Sequence, residues 1–236
     1  MSTIEDNVRN VLGRAEAAAK RAGRDFKDIT VVGVTKTQDA EAVIAMARAG
    51  INNAGENRVQ EFLPKREAVA AADAGFDIRW HMIGHLQTNK VKQVLGKAAL
   101  IHSVDSFRLA EEINRLGGAD VLIEVNIAEE AGKFGIKPDD ALYFVEKLVD
   151  LPKLNLRGLM CVAPYVENPE ENRIYFRKMK NILLDINKKR LHNVAMEILS
   201  MGMTADYEVA IEEGATVVRV GTGIFGERQQ ALISRR

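Results

Sequence analysis

The feature of this sequence that most limits its fold is a short β-branched run followed by an amphipathic segment, repeated along the chain. Eight strand-like runs can be counted, and a helical pattern separates each run from the next. The runs lie at residues 29–36, 52–55, 78–84, 99–104, 121–127, 154–162, 195–201 and 216–221. Strict alternation requires parallel strands joined by crossover helices, and eight such units close into a barrel. The sequence therefore predicts an α/β fold, a single (β/α)8 TIM barrel.

The segments between the runs carry the helical patterns. An extra N-terminal helix is predicted over about residues 3–22, and the others lie at 39–50, from Asn57 onward, and at 88–95, 105–116, 138–150, 169–189 and 204–213. An open doubly wound sheet is the alternative architecture. It usually carries a glycine-rich fingerprint after its first strand, and VGVTKTQDAE has none. We expect one domain over residues 1–236.

Composition and charge limit the partners of this chain. Hydrophobic residues make up 47% of the 236 residues, and 33 Lys and Arg balance 33 Asp and Glu. A neutral chain gives no general attraction to nucleic acid or membrane. The single cysteine, Cys161, fits a reducing compartment, and the acid-containing N-terminus resembles neither a secretory signal nor a membrane span. We therefore expect a cytoplasmic protein.

Two loops have the composition of a phosphate site. SMGMTAD (200–206) follows the seventh run, and RVGTGIFGER (219–228) follows the eighth. In TIM barrels phosphate is often bound by the loops after these two strands, and glycine lets backbone N–H groups approach an anion. The alternative is that the glycines serve only to make tight turns.

Lys36 ends the first run and is the candidate nucleophile. A period of two puts Val32, Val34 and Lys36 on one face, which would place an ammonium at the mouth of an apolar barrel. Burial and a nearby cation both favour the free amine that imine formation requires. A lysine at a strand end is otherwise an ordinary solvated side chain.

Arg219 is the candidate neighbouring cation, because the same alternation places it and Gly221 on one face of the last strand. A buried arginine requires an acceptor. The sequence leaves two kinds of acceptor open: a carboxylate such as Glu124 or Glu197, or a ring nitrogen of a ligand.

Separated segments of the chain resemble, in order and spacing, the motifs of the pyridoxal phosphate homeostasis protein family (YggS/PROSC). They are VTKTQ, GENRVQEF, RWHMIGHLQTNKVK, IHSVDS, VLIEVNIAEEAGKFGI, RGLMCVAP and SMGMTADYEVAIEEGATVVRVGTGIFGER. The resemblance covers essentially the whole chain. It implies a barrel similar to the alanine racemase N-terminal domain, which is fold type III of the proteins that bind pyridoxal 5'-phosphate (PLP).

The resemblance also implies roles for individual residues. Lys36 would carry PLP as a Schiff base (an internal aldimine), Arg219 would face the pyridine nitrogen, and Asn57 would line the mouth. Ser200, Gly221 and Thr222 would cradle the phosphate. Thr204 stands where many members have serine, which retains a hydroxyl. Lys133 matches a second lysine near the pocket, although an ordinary loop charge fits equally well.

The implied function is PLP binding in intracellular vitamin B6 homeostasis and amino-acid and keto-acid balance, without efficient catalysis. Apo PLP-dependent enzymes would receive the cofactor, and the chain would be a monomer. The printed sequence runs about 15 residues past the last run. We therefore expect no second domain to supply the second base of a racemase. A fold type III amino-acid racemase or decarboxylase is the alternative, and a PLP-independent Schiff-base aldolase is a third reading.

Histidine and lysine pairs give weaker signals. His81 and His85 are four residues apart, but the segment reads as a strand and a turn with no third ligand, so no metal site is predicted. Lys90 and Lys92 lack interleaved aromatic residues, which favours a solvated helix face over an RNA site.

Overall fold

Eight parallel strands form a closed barrel in the computed structural model, which describes residues 2–72, 75–192 and 194–227. Neighbours in sequence are neighbours in space, and β8 pairs with β1 to close the ring. The strands are β1 Thr30–Val34, β2 Asn53–Glu56, β3 Arg79–Met82, β4 Leu100–Val104, β5 Ala119–Val125, β6 Leu154–Cys161, β7 Val194–Ser200 and β8 Val217–Val220. The predicted TIM barrel is confirmed, and each strand lies within or close to its predicted run.

Helices surround the barrel in the predicted order. They are α1 Ile4–Arg21, α2 Ala40–Arg48, α3 Val59–Ala71, α4 Val91–Val94, α5 Phe107–Arg115, α6 Ala141–Leu148, α7 Arg173–Lys188, α8 Tyr207–Glu212 and α9 Thr222–Phe225. Short 3-10 segments precede α4, α6 and α7, and the last two begin at Pro138 and Pro169, where proline fits a first turn. The short helix α9 lies in the segment after the eighth run, where the sequence indicates a helix start without defining its bounds.

Alternate residues of the strands face two different cores. Val31 packs in the main core between barrel and helices, and a Cβ on Gly33 would lie 2.1 Å from Met46 Sδ of α2. Leu100, Leu122 and Met160 form a separate cluster inside the barrel. Because the pleat alternates, residues near the C-terminal ends of the strands on this inner face meet at the mouth.

The N-terminal helix α1 is fixed to the last units of the barrel. Arg14 Nε donates to Glu208 Oε1 over 2.7 Å, Arg21 Nε donates to Glu212 Oε1 over 2.7 Å, and Asn7 Nδ2 donates to the Ile224 carbonyl over 2.8 Å. These contacts join the start of the chain to α8 and α9. None of the helices among the described residues is long and apolar enough to cross a lipid bilayer.

Candidate functional site

Barrel closure brings Lys36 next to the loop that follows β8. Lys36 is half-buried and lines a crevice with Gly221 and Thr222, together with Val34 and Phe225. The crevice has a volume of about 40 Å³, which admits a compact group rather than a pyridine ring. The two sequence-predicted loop residues and the candidate lysine therefore share one surface.

The Thr204 hydroxyl organises the start of α9. Its Oγ1 accepts hydrogen bonds from the backbone N–H of Gly221 over 3.2 Å and of Gly223 over 3.3 Å. The loop after β7 is thereby tied to the loop after β8. N–H groups at a helix start favour an anion, and here Thr204 Oγ1 already accepts from two of them, those of Gly221 and Gly223.

Arg219 is 4% exposed and points into the barrel. Its Nη1 donates to the Ser200 carbonyl over 2.8 Å and to Ser200 Oγ over 2.6 Å, and its Nη2 donates to the Cys161 carbonyl over 2.8 Å. Burial lowers the pKa of Arg219, and the nearby Cys161, Glu124 and Asp206 oppose that shift. Arginine is basic enough to stay protonated in proteins even when burial lowers its pKa, so the barrel holds a buried positive charge.

The sequence left two kinds of acceptor for Arg219 open, a carboxylate and a ring nitrogen of a ligand, and the contacts of its guanidinium bear on that choice. Among the described residues, no carboxylate lies within ion-pair distance of this guanidinium. Glu197 instead pairs with Arg157, with 3.0 Å between Oε2 and Nη2. Glu124 is close enough to raise the pKa of Arg219 through its charge, but the two side chains do not form an ion pair. The charge of Arg219 is therefore not neutralised by direct contact with an acid in the described part of the chain.

Ser200 is fully buried behind Arg219 rather than on the crevice at Lys36. Its hydroxyl contacts Arg219 on one side and His102 Nδ1, over 2.9 Å, on the other. Burial lowers the pKa of His102 well below its usual range, and His81 and Arg219 add to the shift. The Ser200 side chain, for which a phosphate contact was predicted, thus already forms hydrogen bonds to Arg219 and His102 inside the barrel.

The backbone around Lys36 is held by α3 and β2. Thr35 Oγ1 donates to Glu56 Oε1 over 2.6 Å, and Lys65 Nζ donates to the Thr35 carbonyl over 2.5 Å and also to Glu56. Thr37 has a φ of 66° and donates its N–H to Glu61 Oε2 over 2.7 Å. A left-handed threonine is strained, and such strain is kept where the surroundings fix the segment. The residues on both sides of Lys36 are therefore fixed by partners on other elements.

Asn57 lines a second cavity, of about 350 Å³, which lies beyond β2 and β3. Lys90 and His85 line it as well. Gly84 allows the two loops to meet, because a Cβ there would lie 2.4 Å from the Asn57 carbonyl oxygen. Asn57 thus stands at the mouth, in a concavity different from the crevice at Lys36.

Glu124 lines a third cavity, of about 320 Å³, beyond β5 and β6, with Lys133 and Phe134. Burial raises the pKa of Glu124 to about 7, Asp105 adds to the rise and Arg219 opposes it. Lys133 is exposed and pairs with Glu130, with 2.7 Å between Nζ and Oε1. The mouth therefore contains a carboxyl group whose pKa is near neutral.

The two histidines with metal-like spacing have separate partners. His81 lies inside the barrel and contacts His102, whereas His85 contacts Asp105 over 3.1 Å and stacks on Phe134 with 3.9 Å between ring centroids. Across the described ranges, no group of three or more His, Cys, Asp or Glu side chains has a metal-binding arrangement.

Sequence reasoning did not identify His102, Glu56 or Lys65 as site residues. His102 could have been found, because a histidine in the apolar run ALIHSV shares the inner face with Leu100. Lys65 gave no local signal, since a lysine within a helical pattern reads as a solvated position.

The family model described as "Alanine racemase, N-terminal domain" matches residues 4–229. A relative from Aquifex aeolicus (strain VF5), the "Pyridoxal phosphate homeostasis protein", is 44% identical over 229 residues, which cover 95% of this chain and 98% of the relative.

Two solved structures illustrate close and distant likeness. PipY of Synechococcus elongatus PCC7942 with PLP bound is 30% identical, has a TM-score of 0.77, and is matched over 90% of this chain and 100% of its own. An alanine racemase from Clostridium difficile 630 in complex with cycloserine is 16% identical with a TM-score of 0.66, over 96% of this chain and 61% of its own. The second likeness shows the fold alone.

Proposed function

This chain belongs to the alanine racemase N-terminal domain family and, within it, to the pyridoxal phosphate homeostasis proteins, and we propose that it binds PLP covalently on Lys36. The observation that carries the proposal is the crevice in which Lys36 meets Gly221 and Thr222. It joins an amine that can attack an aldehyde to backbone and hydroxyl groups suited to a phosphate. PLP presents both of those groups on one ring.

The described residues fit the remaining parts of PLP as well. The Lys36 crevice has room for a compact group such as phosphate, and the Thr204 hydroxyl stands among the N–H groups at the start of α9. Arg219 supplies a buried donor that pairs with no carboxylate among the described residues, which suits an uncharged ring nitrogen. We propose Asn57 as a further contact at the mouth and Ser200 as the residue that holds Arg219.

Covalent attachment uses the Lys36 amine alone. The Lys36 nitrogen would attack the aldehyde carbon of PLP and form a C=N bond, and the aldehyde oxygen would leave as water with the two protons of the amine. The strained Thr37 and the Lys65 contact to Thr35 limit the motion of the Lys36 backbone, so the side chain extends toward the crevice from a fixed Cα.

Arg219 also argues against efficient turnover. When bound, PLP supplies an electron sink, and that sink is strongest when its ring nitrogen is protonated. Arg219 donates to an acceptor and keeps its own proton, so it disfavours protonation of the ring nitrogen. We therefore propose a carrier of PLP rather than an enzyme.

The proposed role is PLP and vitamin B6 homeostasis, with effects on amino-acid and keto-acid balance. A single domain over residues 1–236, acting as a cytoplasmic monomer, would release PLP to apo PLP-dependent enzymes. The name of the Aquifex relative and the PLP-bound PipY structure support this role.

The absorbance of the purified protein tests the proposal. After incubation with PLP and removal of excess, we expect the band of a lysine-linked PLP and its complete loss in Lys36→Ala. Lys188→Ala, on the exposed face of α7, is the matched control and should keep the band. An unchanged band in Lys36→Ala would overturn the assignment.

Turnover is tested separately. The racemase alternative rests on likeness of fold, at 16% identity. If the protein is a carrier, amino acids incubated with it in deuterated water should keep their α-proton. Sustained exchange that disappears in Lys36→Ala would favour the enzyme.

A further inference from the structure

A row of hydrogen-bonded side chains crosses the barrel interior beneath the proposed cofactor site. Arg219 Nη1 reaches Ser200 Oγ over 2.6 Å, and Ser200 Oγ reaches His102 Nδ1 over 2.9 Å. His102 Nε2 lies 3.0 Å from His81 Nδ1, and His81 Nε2 lies 3.1 Å from Asn53 Oδ1. The row links β8, β7, β4, β3 and β2, and its four members other than Asn53 are buried.

The two ends of this row fix the direction of every hydrogen bond in it. Arginine can only donate, and an amide oxygen can only accept. Asn53 Oδ1 therefore requires a proton on His81 Nε2, which leaves His81 Nδ1 as an acceptor when the ring is neutral. His102 must then carry its proton on Nε2, and its Nδ1 accepts the proton of the Ser200 hydroxyl.

Neutral rings agree with the surroundings. Burial lowers the pKa of His81 to about 4, and Arg79 adds to the shift. His102 lies against both His81 and Arg219, and each opposes a second positive charge. With both rings neutral, one arrangement of protons satisfies all four contacts. The Ser200 hydroxyl donates its hydrogen bond to His102 Nδ1, and its lone pairs therefore face Arg219.

We propose that His102 and His81 are positioning residues that orient Arg219 through Ser200 toward the ring nitrogen of bound PLP. The inference rests on the proposed function, which it deepens. Nη1 uses both of its N–H groups on Ser200, and Nη2 uses one on Cys161. Nε–H and one N–H of Nη2 have no acceptor among the described residues, and they remain for a ligand.

This fixed direction has a chemical consequence. If the Ser200 hydroxyl pointed elsewhere, its lone pairs would turn away from Nη1, and the guanidinium would keep only its contacts to the Ser200 and Cys161 carbonyls. The donor that faces the cofactor would then be held less tightly, and the proton affinity of the lysine-linked ring system would change. His102 and His81 would therefore influence the proton affinity of the bound cofactor without contacting it.

The first test uses the protein without PLP. Nitrogen-15 NMR of the imidazoles distinguishes protonated from unprotonated ring nitrogens. We expect His81 and His102 at neutral pH to carry their protons on Nε2 alone. A proton on Nδ1 of either ring, or on both nitrogens, would overturn the proposed direction.

The second test uses the PLP-loaded protein and a set of matched variants. His102→Leu removes both hydrogen bonds, whereas His102→Gln keeps an acceptor oxygen toward Ser200 and a donor N–H toward His81. Met160→Leu, in the apolar cluster inside the barrel, controls for general repacking. The measured quantity is the pH midpoint of the absorbance change of the lysine-linked cofactor.

We expect His102→Leu to move the midpoint by about half a pH unit, a threefold change in proton affinity, and His102→Gln and Met160→Leu to match the parent protein. If His102→Leu does not fold, Ser200→Ala interrupts the same row and should move the midpoint too. A midpoint that stays fixed in the interrupted variant would overturn the proposal.

The two tests separate this inference from the proposed function. If the parent protein forms no lysine-linked band, the proposed function fails, and the NMR result still decides the direction of the row. If the band forms and the row runs differently, the positioning role alone fails.

Discussion

At the scale of single residues, the barrel mouth combines groups whose protonation depends on burial. Glu124 has its pKa raised to about 7, chiefly by burial, while burial lowers the pKa of His81 to about 4. Both shifts favour the uncharged form of the side chain. At neutral pH Arg219 is therefore charged and the buried imidazoles of His81 and His102 are neutral, whereas Glu124 at the mouth is close to its titration midpoint.

Glu124 gives a pH-dependent contribution to stability. Between its ordinary pKa of 4.5 and about 7, the folded protein binds more protons at this site than the unfolded chain does. The contribution is therefore fully present below pH 4.5 and is lost as pH rises through 7. We expect Glu124→Gln, which stays neutral, to gain on the order of 2 kcal/mol relative to the parent between pH 5 and pH 8. Urea denaturation of both proteins without PLP at the two pH values measures this, and an equal difference at both would contradict it.

At the scale of elements, the short strand β2 and the helix α3 hold the segment around Lys36 that follows β1. Glu56 is fully buried, and burial raises its pKa while Lys65 and Thr35 oppose the rise. Its second oxygen, Oε2, has no hydrogen-bond partner in the described part of the chain. The carboxylate therefore depends on Lys65, and both groups depend on the packing of α3 over β2.

Removal of one partner of this pair should cost more than removal of both. Lys65→Met leaves Glu56 buried without its cation, and we expect a loss of about 3–5 kcal/mol in the free energy of unfolding. Lys65→Met with Glu56→Leu should recover most of that loss, because no uncompensated charge remains. Chemical denaturation of the two single variants and the double variant forms the cycle. A double variant as unstable as the sum of the singles would refute the coupling.

The sequence predicted the elements better than the contacts between them. The eight strands and their order follow from the alternating pattern, and so does the position of Lys36, which lies two residues after the end of β1. The resemblance assigns Ser200 to the phosphate cradle and gives Thr204 only a retained hydroxyl, but two hydroxyls in one motif do not show which of them is buried. Which of the two hydroxyls lies buried beside Arg219 depends on the register of β7 against β8. Likewise, Lys65 becomes a site residue through the crossing of α3 over β2, which a one-dimensional pattern does not encode.

At the scale of the whole molecule, the proposed site exists because the barrel closes. Val32 pairs with Arg219 across β1 and β8, and this places Lys36 beside Gly221 although the two lie far apart in sequence. The α1 contacts to Glu208 and Glu212 hold the same seam from outside. A ligand bound across the seam should therefore stabilise the entire fold.

Thermal unfolding measures that linkage. PLP at one hundred times its Kd should add about 2.7 kcal/mol to the free energy of unfolding. For a chain of this size, we expect a rise in Tm of about 5–10 °C. Pyridoxal without its phosphate is the control ligand and should raise Tm less. Equal shifts with both ligands would show that the phosphate makes no contact of consequence.

The backbone carbonyl that anchors Arg219 belongs to Cys161, the single cysteine of the chain. Its side chain is fully buried, and burial raises the pKa of its thiol to about 12. Thiolate is the reactive form, so alkylating reagents should not modify the native protein. Modification would require β6 to separate from its neighbours. The labelling rate of Cys161 therefore reports how often the barrel opens. PLP that adds about 2.7 kcal/mol to the free energy of unfolding should slow this rate about one hundredfold.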